Sequence, residues 1–314
     1  MQIFRHTENL PVGARGSAVA IGNFDGIHRG HQGVIGEAGR IAHDQGIPWS
    51  VLTFEPHPRS LFKPTDEAFR LTPFRTKARH IEELGVDNLI VLHFDKDFSA
   101  QTAEDFITRV LINDLAARHV VSGYDFVFGN NRAGNCDLLL HRGKEEGFDF
   151  TCVSAIDDGD KVYSSTRVRK FLHAGDARGA AAVLGRAYEI EGRVEHGDQR
   201  GRTIGTPTAN VHLDEYLCPA FGVYAIRAGL DEEDGSHWYD GVANLGLRPT
   251  FDGKGVVLEA HLFDFDGDLY GRHLRVAFIE HLRDEKKFDG IDALKAQIAD
   301  DCDAARRILA AGKG

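Results

Sequence analysis

The sequence has few cysteines, and their placement disfavours the sites that cysteine usually builds. Its four cysteines, Cys136, Cys152, Cys218 and Cys302, are widely separated and form no C-x-x-C pair. This spacing argues against a zinc site and against a disulfide framework. We therefore expect four isolated thiols in a reducing compartment.

Long apolar runs and an excess of basic residues are also missing. No apolar run approaches the roughly 20 residues that a membrane-spanning helix needs, and residues 1–16 lack the basic-then-apolar pattern of a secretion signal. The formal net charge of −11 disfavours general binding to nucleic acids or anionic membranes, since both require a basic surface. These absences predict a cytoplasmic protein with neither partner, but they leave room for a nucleotide whose phosphates are neutralised locally.

The order of the predicted elements divides the 314 residues into two domains of different fold class. Up to about residue 185, apolar runs predicted as strands alternate with predicted helices, as in a doubly wound, Rossmann-like parallel sheet. Two short helices, over about 165–173 and 176–184, complete this predicted domain. From residue 186 onward, five strand-like stretches separated by Gly/Asp-rich turns favour a small antiparallel β-barrel, followed by a helix over about 291–310. We predict an α/β domain over 1–185 and a barrel domain over 186–314.

Residues 17–31, SAVAIGNFDGIHRGH, combine a buried strand, a glycine-rich turn and the start of an amphipathic helix. We call residues 22–31, which contain His28 and His31, the histidine turn. Such a junction offers unpaired backbone N–H groups and the positive end of a helix dipole to an anion such as a triphosphate. The H-x-G-H pattern is typical of nucleotidyltransferases and class I aminoacyl-tRNA synthetases, although two solvated histidines that cap a helix would give the same pattern.

Two further segments carry groups suited to phosphates. In YSSTRVRK (163–170), Ser165 or Thr166 can cap the following helix and Arg167 lies in its first turn, so their polar groups could converge on phosphate oxygens. The alternative is an ordinary capped helix with a solvated basic face. In GTPTAN (205–210), Thr208 and Asn210 are two residues apart and therefore on one side of an extended segment, which suits Mg²⁺ bound together with nucleotide phosphates.

The barrel half contains three weaker candidates. Gly201 and Arg202 belong to a glycine- and arginine-rich stretch that could form a loop over phosphates, or a plain hairpin turn. Glu259 stands in an otherwise apolar strand, where it could point into the barrel and act as a general base, or lie solvated on the outer face. Arg283, just before the last helix, could close the site or belong to a solvated charged surface.

Together these motifs resemble the bifunctional bacterial riboflavin kinase/FAD synthetase family over nearly the whole chain. The similar segments of the first half are GNFDGIHRGH (22–31), TFEPHP (53–58), DFVFG (125–129) with Arg132 and Gly134, and SSTRVR (164–169). Those of the second half are PTAN (207–210), GVY (222–224), VANLGLRPTF (242–251), Glu259, DLYG (268–271) and LRDEKKF (282–288). One departure is Thr206, which stands where the family commonly has an aromatic residue before Pro-Thr-Ala-Asn.

The resemblance implies two reactions that use ATP. The barrel domain would transfer the γ-phosphate to riboflavin, giving FMN and ADP, and the α/β domain would join FMN to AMP, giving FAD and pyrophosphate. It implies that Glu259 is the kinase base and that Thr208 and Asn210 bind Mg²⁺. It also assigns catalytic roles to His28, His31 and Arg167, and nucleotide binding to Gly22, Asn23, Phe24, Asp25, Gly26, Asp125, Ser165, Thr166 and Arg283. Gly201 and Arg202 are further candidates for nucleotide binding on their residue types alone.

Three other functions fit fewer of these residues. A monofunctional adenylyl- or cytidylyltransferase with an accessory barrel would leave the pairing of Pro-Thr-Ala-Asn with Glu259 unexplained. A class I tRNA synthetase fragment is disfavoured by the acidic composition. A flavin-binding storage or regulatory module without catalysis is the alternative outside the enzymes. The sequence predicts no particular oligomeric state.

Overall fold

The computed structural model describes residues 1–62, 67–195, 207–232, 235–250 and 253–312. Its contacts divide the chain into two compact units. The α/β unit comprises 1–66 and 72–164, and the barrel unit comprises 67–71 and 165–314. The helices over 165–184, which we assigned to the first domain from the sequence, therefore group with the barrel by contact, and the boundary near residue 185 stays a prediction.

The α/β unit is built on a parallel sheet of six strands. They are β1 (Gln2–Phe4), β2 (Ala18–Ile21), β3 (Trp49–Glu55), β4 (Asn88–His93), β5 (His119–Gly123) and β6 (Asp149–Val153). Their order in the sheet is β1-β4-β3-β2-β5-β6, and every pairing is parallel. Strand β2 therefore lies between β3 on one side and β5 on the other, which is the point where the strand order reverses. In such sheets the ligand crevice opens at the carboxyl ends of the strands where the order reverses.

Helices cover both faces of this sheet. They are α1 (Arg29–Gln45), α2 (Pro58–Phe62), α3 (Phe74–Glu82), α4 (Lys96–Ser99), α5 (Ala103–Phe106), which continues as a π-helix over Ile107–Asp114, and α6 (Cys136–Glu146). Val19 and Ile21 of β2 pack into one apolar cluster with the segment after α5, while Ala18 and Ala20 pack into a second with α1. Burial on both faces explains why β2 and β4 read as continuous apolar runs rather than as alternating ones.

The barrel unit is a closed antiparallel barrel with helices before and after it. Its elements are α7 (Ser165–His173), α8 (Ala177–Leu184), β7 (Tyr188–Glu195), β8 (Ala209–His212), β9 (Gly222–Glu232), β10 (Gly235–Thr250), β11 (Gly253–Leu262), β12 (His273–Arg283) and α9 (Ile291–Ala311). The strand order around the barrel is β10-β11-β8-β7-β12-β9. The predicted fold classes of both halves are confirmed, and β8 joins the five strands that the sequence predicted for the barrel.

The terminal helix α9 packs on the outer face of the barrel. Ala305 and Leu309 of this helix are buried against Val223, Val242 and other apolar side chains of the strands. Because α9 lies outside the barrel, any strand residue that shares a face with Val242 also points outward.

Two of the four cysteines are not isolated. Cys136 is the first residue of α6 and Cys152 lies on the neighbouring strand β6, and their sulfur atoms are 2.6 Å apart. Both are free thiols. Burial and the adjacent Cys136 raise the pKa of Cys152 to about 12. The expectation of four isolated thiols is therefore wrong for this pair, because the packing of α6 against β6 joins residues that are distant in the sequence.

Candidate active sites

The histidine turn leaves the carboxyl end of β2 with an unusual backbone. Phe24 and Ile27 have positive φ angles of 48° and 44°, a region that is uncommon for residues other than glycine and an outlier for a β-branched residue such as Ile27. Both side chains are buried in the second cluster, beside α1. A Cβ on Gly22 would lie 2.9 Å from the ring of Phe24, so the glycine lets that ring fold back beneath the turn. Backbone strain of this kind clusters at functional sites.

His28 and His31 stand side by side at the start of α1. His28 caps the helix, since its Nδ1 accepts the backbone N–H of His31 at 3.3 Å. The two rings are stacked with centroids 3.6 Å apart, and the ring of Phe24 meets His31 edge-on at 5.3 Å. A Cβ on Gly30 would lie only 3.1 Å from the ring of His28. The predicted histidine pair at a helix N-terminus is confirmed, but His28 is buried, so the alternative of two solvated histidines does not hold for it.

Asp25 fixes the turn to a neighbouring segment. Its buried carboxylate accepts the backbone N–H of Thr72 at 3.1 Å, while the Gly26 N–H donates to the Thr72 hydroxyl at 2.8 Å. The carbonyl of Asn23 accepts the Thr53 hydroxyl at 3.2 Å, and the Asn23 side chain is exposed. The structure therefore gives Asp25 a role in shaping the turn, and its predicted contact with nucleotide stays a prediction.

Asp125 lies at the same edge of the sheet as the histidine turn. It follows β5, the strand that neighbours β2, and its side chain is exposed. A Cβ on Gly123 would come within 3.2 Å of the Asp125 carboxylate, so the end of β5 is shaped to admit that group. The α/β unit thus gathers eight predicted site residues at one sheet edge: Gly22, Asn23, Phe24, Asp25, Gly26, His28, His31 and Asp125.

Three predicted partners of the histidine turn belong to the other unit. Ser165, Thr166 and Arg167 open α7, as the sequence predicted, and the Arg167 guanidinium lies 5.7 Å from the ring centroid of Phe171. Their convergence with the histidine turn on one nucleotide stays a prediction.

In the barrel unit, strand register aligns three polar residues. Glu259 of β11 pairs directly with Asn210 of β8 on one side and with Asn244 of β10 on the other. Directly paired residues of neighbouring strands project from the same face of a sheet. These three side chains therefore form one row, which we call the kinase row after the role that the resemblance implies for Glu259.

The kinase row lies on the outer face of the barrel. His261, two residues after Glu259 and so on the same face, pairs with Val242, which packs against α9. The alternating residue Leu258 and its partner Val211 are fully buried. Of the two orientations that the sequence left open for Glu259, the structure shows the outward one.

Asn244 belongs to the kinase row, but the sequence analysis did not identify it as a site residue. Its Nδ2 also lies 3.5 Å from Oε1 of Glu285, in the segment that follows β12. The signal was present in VANLGLRPTF (242–251), where a polar residue interrupts an apolar stretch. Only the strand register shows that this residue lies opposite Glu259.

The donor set around the kinase row suits a hard cation. Thr208 directly precedes β8, and His261 holds this segment through a contact of 2.9 Å between its Nδ1 and the carbonyl of Pro207. A hydroxyl, amide oxygens and a carboxylate are the ligand types that Mg²⁺ takes alongside water and phosphate. Among the described residues, no group of three or more His, Cys, Asp or Glu side chains is arranged to hold a metal ion.

The remaining candidates have different outcomes. Gly201 and Arg202, like Thr206, lie outside the described residues. Arg283 binds the carboxylate of Asp301 in α9 through three contacts, Nε to Oδ1 at 2.9 Å, Nε to Oδ2 at 3.2 Å and Nη2 to Oδ2 at 2.7 Å, and Asp301 is buried. This pair ties β12 to α9, so Arg283 is not merely solvated surface, and its predicted contact with nucleotide stays a prediction.

Comparison with known proteins accounts for both units. A family model described as FAD synthetase matches residues 11–167, and one described as riboflavin kinase matches residues 184–309. A bifunctional riboflavin kinase/FMN adenylyltransferase of Pseudomonas fluorescens is 42% identical over 312 residues, which cover 99% of this chain and 98% of the relative. The chain belongs to this bifunctional family. The resemblance found in the sequence is thereby confirmed.

Further relatives agree in length and fold. A protein of the same name from Escherichia coli K12 is 41% identical over 311 residues, covering 98% of each chain. A crystal structure titled macrolide-efflux protein, from Streptococcus pneumoniae, superposes with a TM-score of 0.84 at 30% identity, covering 97% of this chain and 98% of that one. The efflux activity in that title is stated of that protein alone. Among the described residues, no helix combines the length and the apolar character needed to cross a bilayer.

Family membership places the two sets of residues in context. The FAD synthetase match contains the histidine turn and Asp125, and it ends at Arg167. The riboflavin kinase match contains all three residues of the kinase row. Each half of the bifunctional family is therefore represented in this chain by its own cluster of polar residues.

Proposed function

We propose that this chain makes FMN and then FAD at two separate sites, one built around the kinase row and one around the histidine turn. The observation that supports this most strongly is the register that aligns Glu259 with Asn210 and Asn244, in a unit distinct from the one that holds the stacked histidines. Family membership supplies the two activities, and the geometry supplies a candidate place for each.

At the kinase row, the 5′-hydroxyl of riboflavin attacks the γ-phosphorus of ATP and ADP leaves. Glu259 accepts the hydroxyl proton, a contribution typically worth about 10²–10⁴ in rate. Thr208 and Asn210 would hold Mg²⁺, which when bound neutralises charge on the transferring phosphoryl group. Asn244, directly beside Glu259, orients the carboxylate or the incoming hydroxyl.

At the histidine turn, a phosphate oxygen of FMN attacks the α-phosphorus of ATP and pyrophosphate leaves. One P–O bond forms while another P–O bond breaks, so catalysis comes from stabilising charge and aligning the reacting groups. The N–H groups at the start of α1 and Nε2 of His28 donate to phosphate oxygens, and His31 lies beside them. Ser165, Thr166 and Arg167 of α7 complete the site in this proposal, as does Asp125.

The direct test uses the purified full-length chain with riboflavin and ATP, with Mg²⁺ or with a chelator, followed by chromatography of the flavins. We expect FMN to appear first and FAD to follow with pyrophosphate, and we expect both to stop without the metal. FAD formation from added FMN, without phosphorylation of riboflavin, would instead support a monofunctional transferase. Flavin binding without turnover would support a storage module. A cytoplasmic location is part of the proposal and is tested separately by cell fractionation.

A further inference from the structure

Lys77 is a fully buried lysine in the α/β unit. It projects from α3 to the carboxyl end of β3, where its Nζ lies 2.8 Å from Oε1 of Glu55 and 3.5 Å from Oγ1 of Thr53. Lysine is almost never fully buried unless it is paired, and replacing a buried ion pair by apolar residues is often neutral or even stabilising. The stability of the fold is therefore a weak explanation for this pair.

Thr53 connects the ion pair to the histidine turn. A lysine ammonium can only donate hydrogen bonds, so the Thr53 hydroxyl accepts from Lys77 and is left with its own proton to donate. That proton goes to the carbonyl of Asn23, at 3.2 Å. The direction of donation therefore runs from Lys77 through Thr53 to Asn23, and the lysine charge strengthens both bonds. Asn23 is the first residue after Gly22, where the chain leaves β2.

The segment that carries Lys77 holds the turn at a second place. Thr72, just before α3, accepts the Gly26 N–H through its hydroxyl and donates its own backbone N–H to Asp25. Phe24 and Ile27 have positive φ angles. Phe24 lies between the anchored residues Asn23 and Asp25, and Ile27 directly follows Gly26. A strained backbone persists only where its surroundings over-determine it. Residues 72–77 supply several of the contacts that hold the strained backbone of the histidine turn in place.

We propose that Lys77 is a positioning residue for adenylyl transfer, which acts through Thr53 to hold the Asn23 carbonyl and thereby sets the histidine turn against the α-phosphate of ATP. This inference rests on the proposed function of the histidine turn. The ammonium of Lys77 is buried, so it acts on the turn rather than on substrate. Loss of the connection misplaces the two histidines without removing either of them.

The test compares Lys77→Met and Thr53→Val in the full-length chain. Both substitutions preserve much of the side-chain volume, and each breaks the donor series at a different point. We expect the kcat for making FAD from FMN to fall at least about tenfold in each, because a small misplacement of reacting groups costs that much or more. We expect the KM for ATP to change far less, and riboflavin phosphorylation in the same preparation to stay within about twofold of wild type.

Two controls separate positioning from a loosened fold. Ser50→Ala removes a hydroxyl from the same strand that is equally buried and lies 3.4 Å from Nδ2 of Asn88, at the amino end of β3, and we expect it to leave FAD formation unchanged. The double variant Lys77→Met/Thr53→Val should lose no more activity than the worse single variant, since both act through one connection.

Several results would overturn the proposal. They are an unchanged kcat for FAD formation in folded Lys77→Met, additive losses in the double variant, or an equal loss in Ser50→Ala. If Lys77→Met does not fold, Thr53→Val decides the question alone, and normal FAD formation by it refutes the proposal. Wild-type chain that makes no FAD would refute the proposed function instead, so the two failures are distinguishable.

Discussion

The imidazole rings of His28 and His31 are stacked with their centroids 3.6 Å apart, and the backbone N–H of His31 donates to Nδ1 of His28. A nitrogen that accepts a hydrogen bond carries no proton, so the neutral His28 ring holds its proton on Nε2. His28 therefore caps α1 with Nδ1, and in the proposed function Nε2 is the atom that donates to a phosphate oxygen.

Substitutions at His28 should separate capping from chemistry. Asparagine is among the best N-cap residues, so His28→Asn should keep the free energy of unfolding near that of wild type while FAD formation falls, because the Nε2 donor is gone. His28→Ala should lose FAD formation and also about 1 kcal/mol of stability. Urea unfolding and flavin chromatography measure the two effects. Retained FAD formation in His28→Asn would show that capping is the only role of this ring.

Two glycines of α1 form a matched pair for testing the space around His28. A Cβ on Gly30 would meet the His28 ring at 3.1 Å and the carbonyl oxygen of Tyr163 at 3.3 Å, whereas a Cβ on Gly36 meets nothing within 4 Å. Gly30→Ala should therefore displace the ring and lower the kcat for FAD formation. Gly36→Ala should keep full activity and gain roughly 0.5–1 kcal/mol of stability, as alanine does in a helix interior. Equal activity in the two variants would argue against a tightly placed ring.

Asn244 should matter for riboflavin phosphorylation only. Asn244→Ala removes the amide beside Glu259, and Asn244→Asp places a second carboxylate directly opposite it, where like charges repel. FMN formation should fall in both and fall further in the aspartate variant, while FAD formation from added FMN serves as the internal control. Equal rates in Asn244→Asp and wild type would remove Asn244 from the kinase site.

Glu83 should make the α/β unit sensitive to acid. Partial burial opposes its ionisation, but hydrogen bonds and charge from His80 and Arg79 outweigh this effect and lower its pKa from 4.5 to about 2. A carboxyl whose pKa is lower in the folded state stabilises the fold above pH 4.5, and this contribution is lost as the pH falls toward 2. Glu83→Gln should therefore unfold more easily than wild type at neutral pH, with the difference shrinking between pH 4.5 and 2. A difference that is independent of pH would contradict this assignment.

Local patterns predicted most of the fold, and long-range pairing accounts for what they missed. The apolar run of β2 and the cap at Thr102, whose side chain accepts the Asp105 N–H, are visible in neighbouring residues alone. The edge strand β1 has only three residues and no buried position, so it has no hydrophobic pattern of its own. Its existence depends on pairing with β4.

The candidate sites differ in the same way: local patterns predict one of them, and long-range pairing creates the other. The histidine turn is one continuous segment, so its residue types and their spacing can be recognised in the sequence. The kinase row draws one residue from each of three strands, and the series from Lys77 to Asn23 joins a helix, a strand and a turn. Spacing along the sequence does not predict these contacts, because strand register and packing across the sheet create them.

The most direct test of two independent sites is the reciprocal pair His31→Ala and Glu259→Gln in the full-length chain, assayed for both reactions. We expect His31→Ala to phosphorylate riboflavin at the wild-type rate and make no FAD. We expect Glu259→Gln to make FAD from added FMN at the wild-type rate and form no FMN from riboflavin. Loss of both activities from either variant, in protein shown to be folded by its unfolding transition, would contradict the assignment of the two reactions to separate sites.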